Sequence, residues 1–481
     1  RTYSSGLGIS FMKITFFGGI NEIGGNKILV EEKGTSIFLD FGKSYKESSL
    51  YFEEFVSPRA VHGIKDYLAL NLIPQKQGIY RKDLVEILER ENQDISSYDK
   101  LSLSAILLSH PHMDHAGYLS FIDEKIPVYL TKESLLVLET FNIIKPSNLE
   151  NEIFEISYPH YLDCKKRKKQ KRNFKEVSNL KSFKIGSLEI VPIAVDHSAP
   201  GAAMFLIKSK NKKILYSGDF RLSEMKKEYL EKVTDYLKKE KIDYFLCEGT
   251  RITENKVLRE EEVYSKAQER ISNIKGLIVA DYSLTDTTRF LTLQNLAKSI
   301  KRKMALPFNY FGYLIFLKEK GFKIDISKDI ILYGKKKSKL KKWERDLIKK
   351  YPSVEAEEIQ KNPKNYFVIL NFYQIQELID LKPDENSYFL RAITEPHSEE
   401  MEISEARFVN WIKYFQMQGL TEEGKFERAH ISGHISGKEL KEFISKIQPH
   451  CIIPIHTEQP EEFKKMHKNV IIVERGETLV L

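Results

Sequence analysis

The chain has 481 residues, 41% of them hydrophobic, with 76 Lys plus Arg against 68 Asp plus Glu. That length exceeds one ordinary domain and that apolar content supports large cores, so two or three domains are expected. The net charge of +8 is a mild excess, compatible with a polyanion partner but not a demand for one. No apolar run approaches the ~18 residues of a membrane span, so no membrane partner is expected. Cys164, Cys247 and Cys451 stand far apart without a CxxC. That excludes a disulfide framework and a thiolate zinc site, and fits a cytoplasmic location.

In chain order, residues 1–10 are polar, lack the apolar core of a signal peptide, and are expected to be a remnant ahead of a start at Met12. A strand at 13–17 runs into the turn Gly18-Gly19-Ile20-Asn21-Glu22-Ile23-Gly24-Gly25-Asn26. No helix follows, so these glycines read as tight turns and not as a nucleotide loop. Strands at 27–30 and 36–39 come next, the second ending at Asp40-Phe41-Gly42, where Asp40 would orient a metal-ligand histidine through a hydrogen bond. Residues 43–98 form a long insertion with a helix near 82–91, to which the sequence assigns no chemistry.

The apolar run Ala105-Ile106-Leu107-Leu108 reads as a buried strand, and it delivers Ser109-His110-Pro111-His112-Met113-Asp114-His115-Ala116-Gly117. On an extended backbone His110 and His112 point the same way and can approach one ion together. Asp114 and His115 follow a bend, which suits a second ion nearby. Imidazoles with a carboxylate and no thiolate favour zinc, with manganese as the alternative. Two ions ~3.5–4 Å apart would activate a water and neutralise a developing oxyanion.

A strand at 127–130 and a helix at 132–141 continue the alternation. Residues 165–172 hold seven cations in eight positions, so they read as an exposed loop, solvated surface before phosphate contact. The strand at 188–195 ends at His197, completing a three-nitrogen set, and the strand at 214–217 ends at Asp219, which can bridge two ions. A strand ending in a ligand type three times over is not chance. The strand at 242–247 ends at Glu248.

Beyond it, strands at 276–280, 303–306, 329–332 and 366–370 alternate with helices such as 287–301 and 339–350. This pattern reads as a parallel α/β domain set into the host. A second basic cluster, Lys335, Lys336, Lys337, Lys339, Lys341 and Lys342 beside Trp343, reads as helix surface before a nucleic-acid rim. Ala429-His430-Ile431-Ser432-Gly433-His434 precedes a helix whose Leu440, Phe443, Ile444 and Ile447 share one face. Residues 432–439 are not a phosphate loop, because position 432 is not Gly and no Ser or Thr follows Lys438. A strand at 451–455 ends at His456, and strands at 470–473 and 478–481 close the chain.

The HxHxDH pattern of His110, His112, Asp114 and His115 is the signature of the metallo-β-lactamase superfamily. With the 18–26 turn, Asp40, His197, Asp219, Glu248 and the segments 430–434 and 453–458, the chain resembles the β-CASP nucleases, most of all the prokaryotic ribonuclease J group. The resemblance implies an α/β fold, an αββα metallo-β-lactamase sandwich over 12–250 and 421–481 with an inserted parallel α/β β-CASP domain over 251–420. It implies one zinc on His110, His112 and His197, a second on Asp114, His115 and His456, and Asp219 between them. Catalysis would fall to Asp114, Glu248 and His434, with His434 as general acid, and His430 and Ser432 would bind phosphate. The third β-CASP motif is His in the RNA-processing branch and Val in the DNA branch; His456 therefore favours RNA, with DNA as runner-up.

A small-ester or thioester hydrolase of this fold would not need Glu248, His434 or so large an insert. A non-catalytic relative would have lost ligands, and none is missing. Glu248 departs from the Asp usual in the ribonuclease J group. That group's C-terminal domain is expected to be absent, which leaves the group's dimer or tetramer open, a homodimer included; the insertion after Asp40 and the loop at 281–286 match no family pattern, which leaves the choice between endo- and exonuclease action open.

Overall fold

Alternation of apolar residues builds the first sheet. In the computed structural model, which describes residues 11–53, 55–334, 339–395 and 399–481, β1 (Lys13–Gly18) and β2 (Lys27–Glu32) bury Ile14, Phe16, Ile28 and Val30 in one cluster. Leu29 points the other way into a second cluster, as the period of two on an extended backbone requires. The chain continues through β3 (Thr35–Leu39), helix α1 (Lys82–Arg90), β4 (Ala105–Leu107), β5 (Val128–Thr131), α2 (Lys132–Ile144), β6 (Glu155–Tyr158), β7 (Lys168–Lys171) and β8 (Phe174–Val177). Next come β9 (Phe183–Ile185), β10 (Leu188–Ala194), β11 (Ala203–Lys208), β12 (Lys213–Tyr216), α3 (Lys227–Glu240) and β13 (Tyr244–Glu248). After the inserted segment, α4 (Gly437–Ile447), β14 (Cys451–Ile455) and β15 (Thr478–Val480) return.

Two mixed sheets result, ordered β8-β5-β4-β3-β2-β1-β15 and β9-β10-β11-β12-β13-β14. Between them lies one core, to which Ile37, Leu39 and Leu107 come from the first sheet and Ile207, Ile214, Leu246 and Ile453 from the second. The outer face of the first sheet is covered by Leu84, Ile87 and Leu88 of α1 and by Ile64, Tyr67 and Leu68. The long insertion is thus core, because its apolar residues seal that face. The outer face of the second sheet is covered by Val233 and Leu237 of α3 and by Leu440, Phe443, Ile444 and Ile447 of α4. The layers run helix, sheet, sheet, helix.

The described chain divides into two units, one up to Val257 together with Gly433–Leu481, the other Leu258–Ser432. Residues 421–432 pack in the second unit, where Phe426 joins its core and Arg428 bridges to Arg391. That unit holds a fully parallel sheet, ordered Ser353–Val354, Ile330–Tyr333, Lys303–Pro307, Tyr366–Ile369, Ile278–Asp281 and Tyr388–Arg391. Lys335, Lys336 and Lys337 lie outside the described residues, while Lys341 and Lys342 are exposed at the start of helix Lys342–Lys350.

Two local expectations are corrected. Residues 470–473 form no strand, only a bridge from Val470 to Ile452. Residues 165–172 are not all loop: 168–171 form β7, which pairs antiparallel with β6, Lys169 opposite Ser157. Arg172, at its end, is only 4% exposed. Its guanidinium donates to the carbonyls of Ile153, Leu119 and Ile122, so a planar fork of donors makes burial tolerable where a charge count forbids it.

Candidate metal centre

Several strand ends meet at one edge of the sandwich. β3 and β4 run parallel, and β12, β13 and β14 run parallel to one another. Their carboxyl ends deliver Asp40, His110, Asp219, Glu248 and His456; β10, antiparallel to β11 and so aligned with β12, delivers His197. His112 is extended (φ −65°, ψ 151°) and caps the short helix Met113–Ala116. That bend separates His110 and His112 from Asp114 and His115. Asp40 (φ +57°) and His456 (φ +50°) both take the left-handed conformation, uncommon for residues with a side chain and frequent where a site holds its geometry under strain.

The side chains form two sets. His110 Nε2 and His197 Nε2 each lie 3.1 Å from His112 Nδ1. In the second set His456 Nε2 is 3.4 Å and His115 Nε2 3.6 Å from Asp114 Oδ2. Asp219 joins them: its Oδ2 lies 3.1 Å from His115 Nε2, 3.7 Å from His110 Nε2 and 3.9 Å from His197 Nε2, and its Oδ1 3.4 Å from His456 Nε2. Beside the two sets, His434 Nδ1 sits 3.9 Å from Asp219 Oδ2 and 3.1 Å from each oxygen of Glu248, which also accepts the backbone N–H groups of Phe220 and Thr250. Glu248 is fully buried.

Four imidazoles are anchored through the nitrogen that faces away from the cluster. His115 Nδ1 donates to Asp40 Oδ2 at 2.6 Å, His197 Nδ1 to the Gly433 carbonyl at 2.7 Å, His456 Nδ1 to Thr250 Oγ1 at 2.9 Å and His110 Nδ1 to Ser109 Oγ at 3.1 Å. With each Nδ1 carrying the proton, each Nε2 turns a lone pair inward. His115 Nε2 and Asp219 Oδ1 are buried and make no hydrogen bond. Converging lone pairs fit cations, and the nitrogen-oxygen set fits zinc or manganese.

The electrostatics agree at His110 and His197, whereas at His115 burial is outweighed by Asp219, Asp114 and Asp40, which raise that ring well above the usual histidine range. Burial and the neighbouring imidazoles push His110 and His197 well below the usual histidine range, so they are neutral and ready to ligate. Burial opposes ionisation of Asp219, yet the His115, His456 and His434 rings hold it well below the usual carboxylate range.

Similarity to known proteins follows the same residues. The family model "Beta-lactamase superfamily domain" matches residues 86–261, and "Zn-dependent metallo-hydrolase RNA specificity domain" matches residues 424–476. The chain is 23% identical to "Ribonuclease J" of Pyrococcus abyssi over 94% of its own length and 90% of that protein's. The chain thus matches metallo-β-lactamase family models over these two segments and is similar to ribonuclease J over most of its length. "Ribonuclease J" of Helicobacter pylori is 24% identical over 44% of this chain, a match that spans only 23% of that protein. The crystal structure of a protein of unknown function from Enterococcus faecalis V583 shares the fold, with a TM-score of 0.73 at 21% identity, covering 98% of this chain and all of that one.

The family models and relatives support a metal-dependent hydrolase, and the side chains gathered at this edge could hold its metal. The structure brings His110, His112, Asp114, His115, His197, Asp219, Glu248, His434 and His456 together with Asp40 behind them. His430 and Ser432 lie in the second unit, where His430 Nδ1 is 3.2 Å from Arg289 and 3.3 Å from the Ala392 carbonyl.

Several supporting residues escaped the sequence reading. Tyr216 donates to Asp40 at 2.6 Å and accepts from Asn26 at 2.8 Å. Ser109 gives Asp40 both its N–H and its hydroxyl. Buried Lys27 donates to the carbonyls of Gly25 (2.7 Å) and Gly42 (3.0 Å). The turns it ties abut Asp114: a Cβ on Gly24 would lie 2.7 Å from the Asp114 side chain, and one on Gly42 only 1.6 Å from the Asp114 carbonyl oxygen. Tyr216 and Ser109 sit beside ligand positions, so strand-end polarity was their one signal; Lys27 had none beyond a charge opening an apolar strand.

Proposed function

We propose that the protein is a two-metal ribonuclease that hydrolyses phosphodiester bonds. The observation that carries the proposal is the joining of two inward-facing ligand sets through Asp219, with the His434–Glu248 pair beside them. One ion would rest on His110, His112 and His197, the other on Asp114, His115 and His456, with Asp219 shared. Zinc is the proposed metal and manganese the alternative. Bound there, the pair would supply a water nucleophile at neutral pH and charge neutralisation at the phosphate.

The protein's own groups do the rest. Glu248 holds the His434 Nδ1 proton, which leaves Nε2 to present a proton to the departing oxygen. Asp40 and Thr250 keep the His115 and His456 rings in the ligating tautomer. The ribonuclease names of the relatives and the RNA specificity model over 424–476 support RNA as substrate. DNA is the second reading, because backbone phosphate chemistry alone does not distinguish the two. His430 and Ser432 are proposed to bind a terminal phosphate; if so, His430→Ala changes the ratio of cleavage of monophosphorylated to hydroxyl-ended RNA.

The test is cleavage of end-labelled RNA and DNA of matched sequence with zinc or manganese, beside elemental analysis of the protein. Two metal equivalents and cleavage of RNA in preference to DNA are expected. A protein that takes up no transition metal and cleaves neither polymer sinks the proposal.

A further inference from the structure

The β6–β7 hairpin carries Lys165, Lys166, Arg167, Lys168, Lys169 and Lys171 with no carboxylate among residues 164–173. Lys165, Lys166, Lys168 and Lys171 are exposed, and of the cations in this stretch Lys169 is paired, with Glu155. The stretch is held in place from below. Arg172 is buried against backbone carbonyls, Gln170 donates to buried Glu124 at 2.8 Å, and Arg167 donates to the Leu162 carbonyl at 2.8 Å. The charges therefore stand on a fixed strand, and ordering them on a partner loses little further entropy.

Its place in the sheet matters. β4 and β5 run parallel, and the metal ligands follow the carboxyl end of β4. The hairpin attaches at the opposite, amino end of β5, where Val128 N–H donates to the Asn173 carbonyl at 2.9 Å. The four residues of β5 separate the two ends by ~13 Å. A phosphate on the hairpin cannot be the scissile one.

We propose that this hairpin is a second contact for the RNA backbone, engaged only by substrates long enough to run from the metal edge to the far end of the sheet. The inference rests on the ribonuclease reading and deepens it by assigning a length preference. Closely spaced cations that outnumber the hairpin's carboxylates, Glu155 and Asp163, match a polyphosphate, and because backbone contacts position without reading bases, the contact carries no sequence preference.

The test replaces Lys165, Lys166, Lys168 and Lys171 together with Gln and compares RNA of about four with RNA of about thirty nucleotides. For the long RNA, KM at low salt should rise about tenfold with kcat unchanged, and the slope of log affinity against log salt should flatten by about 0.7 for each phosphate no longer neutralised. The short RNA should show neither change, and Arg at the same four positions should retain the parent slope. An unchanged slope on long RNA, or equal losses on both lengths, overturns the proposal. So does retention of anionic phospholipid vesicles by the parent with no effect on RNA, which would assign the patch to a membrane surface. If the parent cleaves no RNA, the ribonuclease reading fails separately, and the binding slope of long RNA still decides the hairpin.

Discussion

Each unit of the chain buries a dense group of charged side chains, and the two groups differ in what they still require. In the second unit Arg289 Nε lies 2.8 Å from Glu260, Asp281 accepts from Arg391 and from the Ala392 N–H, and Glu405 accepts from both Arg391 and Arg428. Each of these carboxylates faces a guanidinium. In the first unit, by contrast, imidazole faces imidazole, and His115 Nε2 and Asp219 Oδ1 find no hydrogen bond. Buried charges that neutralise one another hold a fold together. Buried lone pairs that converge call for a cation.

The largest effect should come from removing the shared carboxylate. Asp219→Ala should lose metal from both sets and reduce cleavage on the order of 10⁴-fold or more, since nucleophile activation and charge neutralisation go together. Elemental analysis and single-turnover cleavage check it. Retention of two metal equivalents would show that the carboxylate does not join the sets.

His434→Ala separates acid from ligand. Both metals should stay while the rate falls about 10²–10⁴-fold; loss of a metal equivalent would make His434 a ligand. Burial disfavours its charged form, but Glu248 and Asp219 outweigh that and raise the imidazole to about 9 in the metal-free protein. Glu248→Gln removes one of those carboxylates. The basic limb of its pH–rate profile should therefore move to lower pH, with a milder rate defect than His434→Ala.

The second unit supplies the control. Arg289→Met removes the guanidinium that faces buried Glu260 and should lower stability by about 3–5 kcal/mol in urea unfolding, with metal content unchanged. Metal loss in that variant would break the contrast between structural and functional charge.

What the sequence disclosed follows from the range of the interactions. The residues gathered at the metal edge were legible because they follow the ends of short apolar strands, so local pattern and chemistry coincide. Their anchors were less so: Tyr216 meets Asp40 across 176 positions and Thr250 meets His456 across 206, distances over which no local pattern speaks. Helix Phe308–Glu319 has buried residues around most of its circumference, so no polar stripe gives it a period. Residues 165–172 misled because charge was counted without geometry. Lys168, Lys169 and Lys171 are exposed as their charge implied, but they stand on a strand, and a guanidinium at its end can donate to several carbonyls.

Lys27 should give the smallest effect, and it tests where a buried charge belongs in the contrast. Lys27 is 1% exposed, and its ammonium lies 5.6 Å over the Tyr118 ring and ties the Gly25 and Gly42 turns that bracket Asp114. Burial lowers it to about 8, against the opposing charge of Glu22. Between about 8 and the ordinary lysine value near 10.5 the unfolded chain holds a proton that the native one has released. Stability from this group therefore rises with pH across that window, by at most about 1.4 kcal/mol per pH unit. Lys27→Met should remove that slope, visible as the difference between parent and variant in urea unfolding from pH 7 to 10. At pH 7 the two orphaned carbonyls and the relieved charge burial oppose each other, leaving a net change of about 1 kcal/mol. If the ammonium also positions Asp114, the variant should bind metal about tenfold more weakly, as losses behind a ligand typically do. An unaltered metal affinity with an altered slope would make Lys27 a purely structural charge, like those of the second unit.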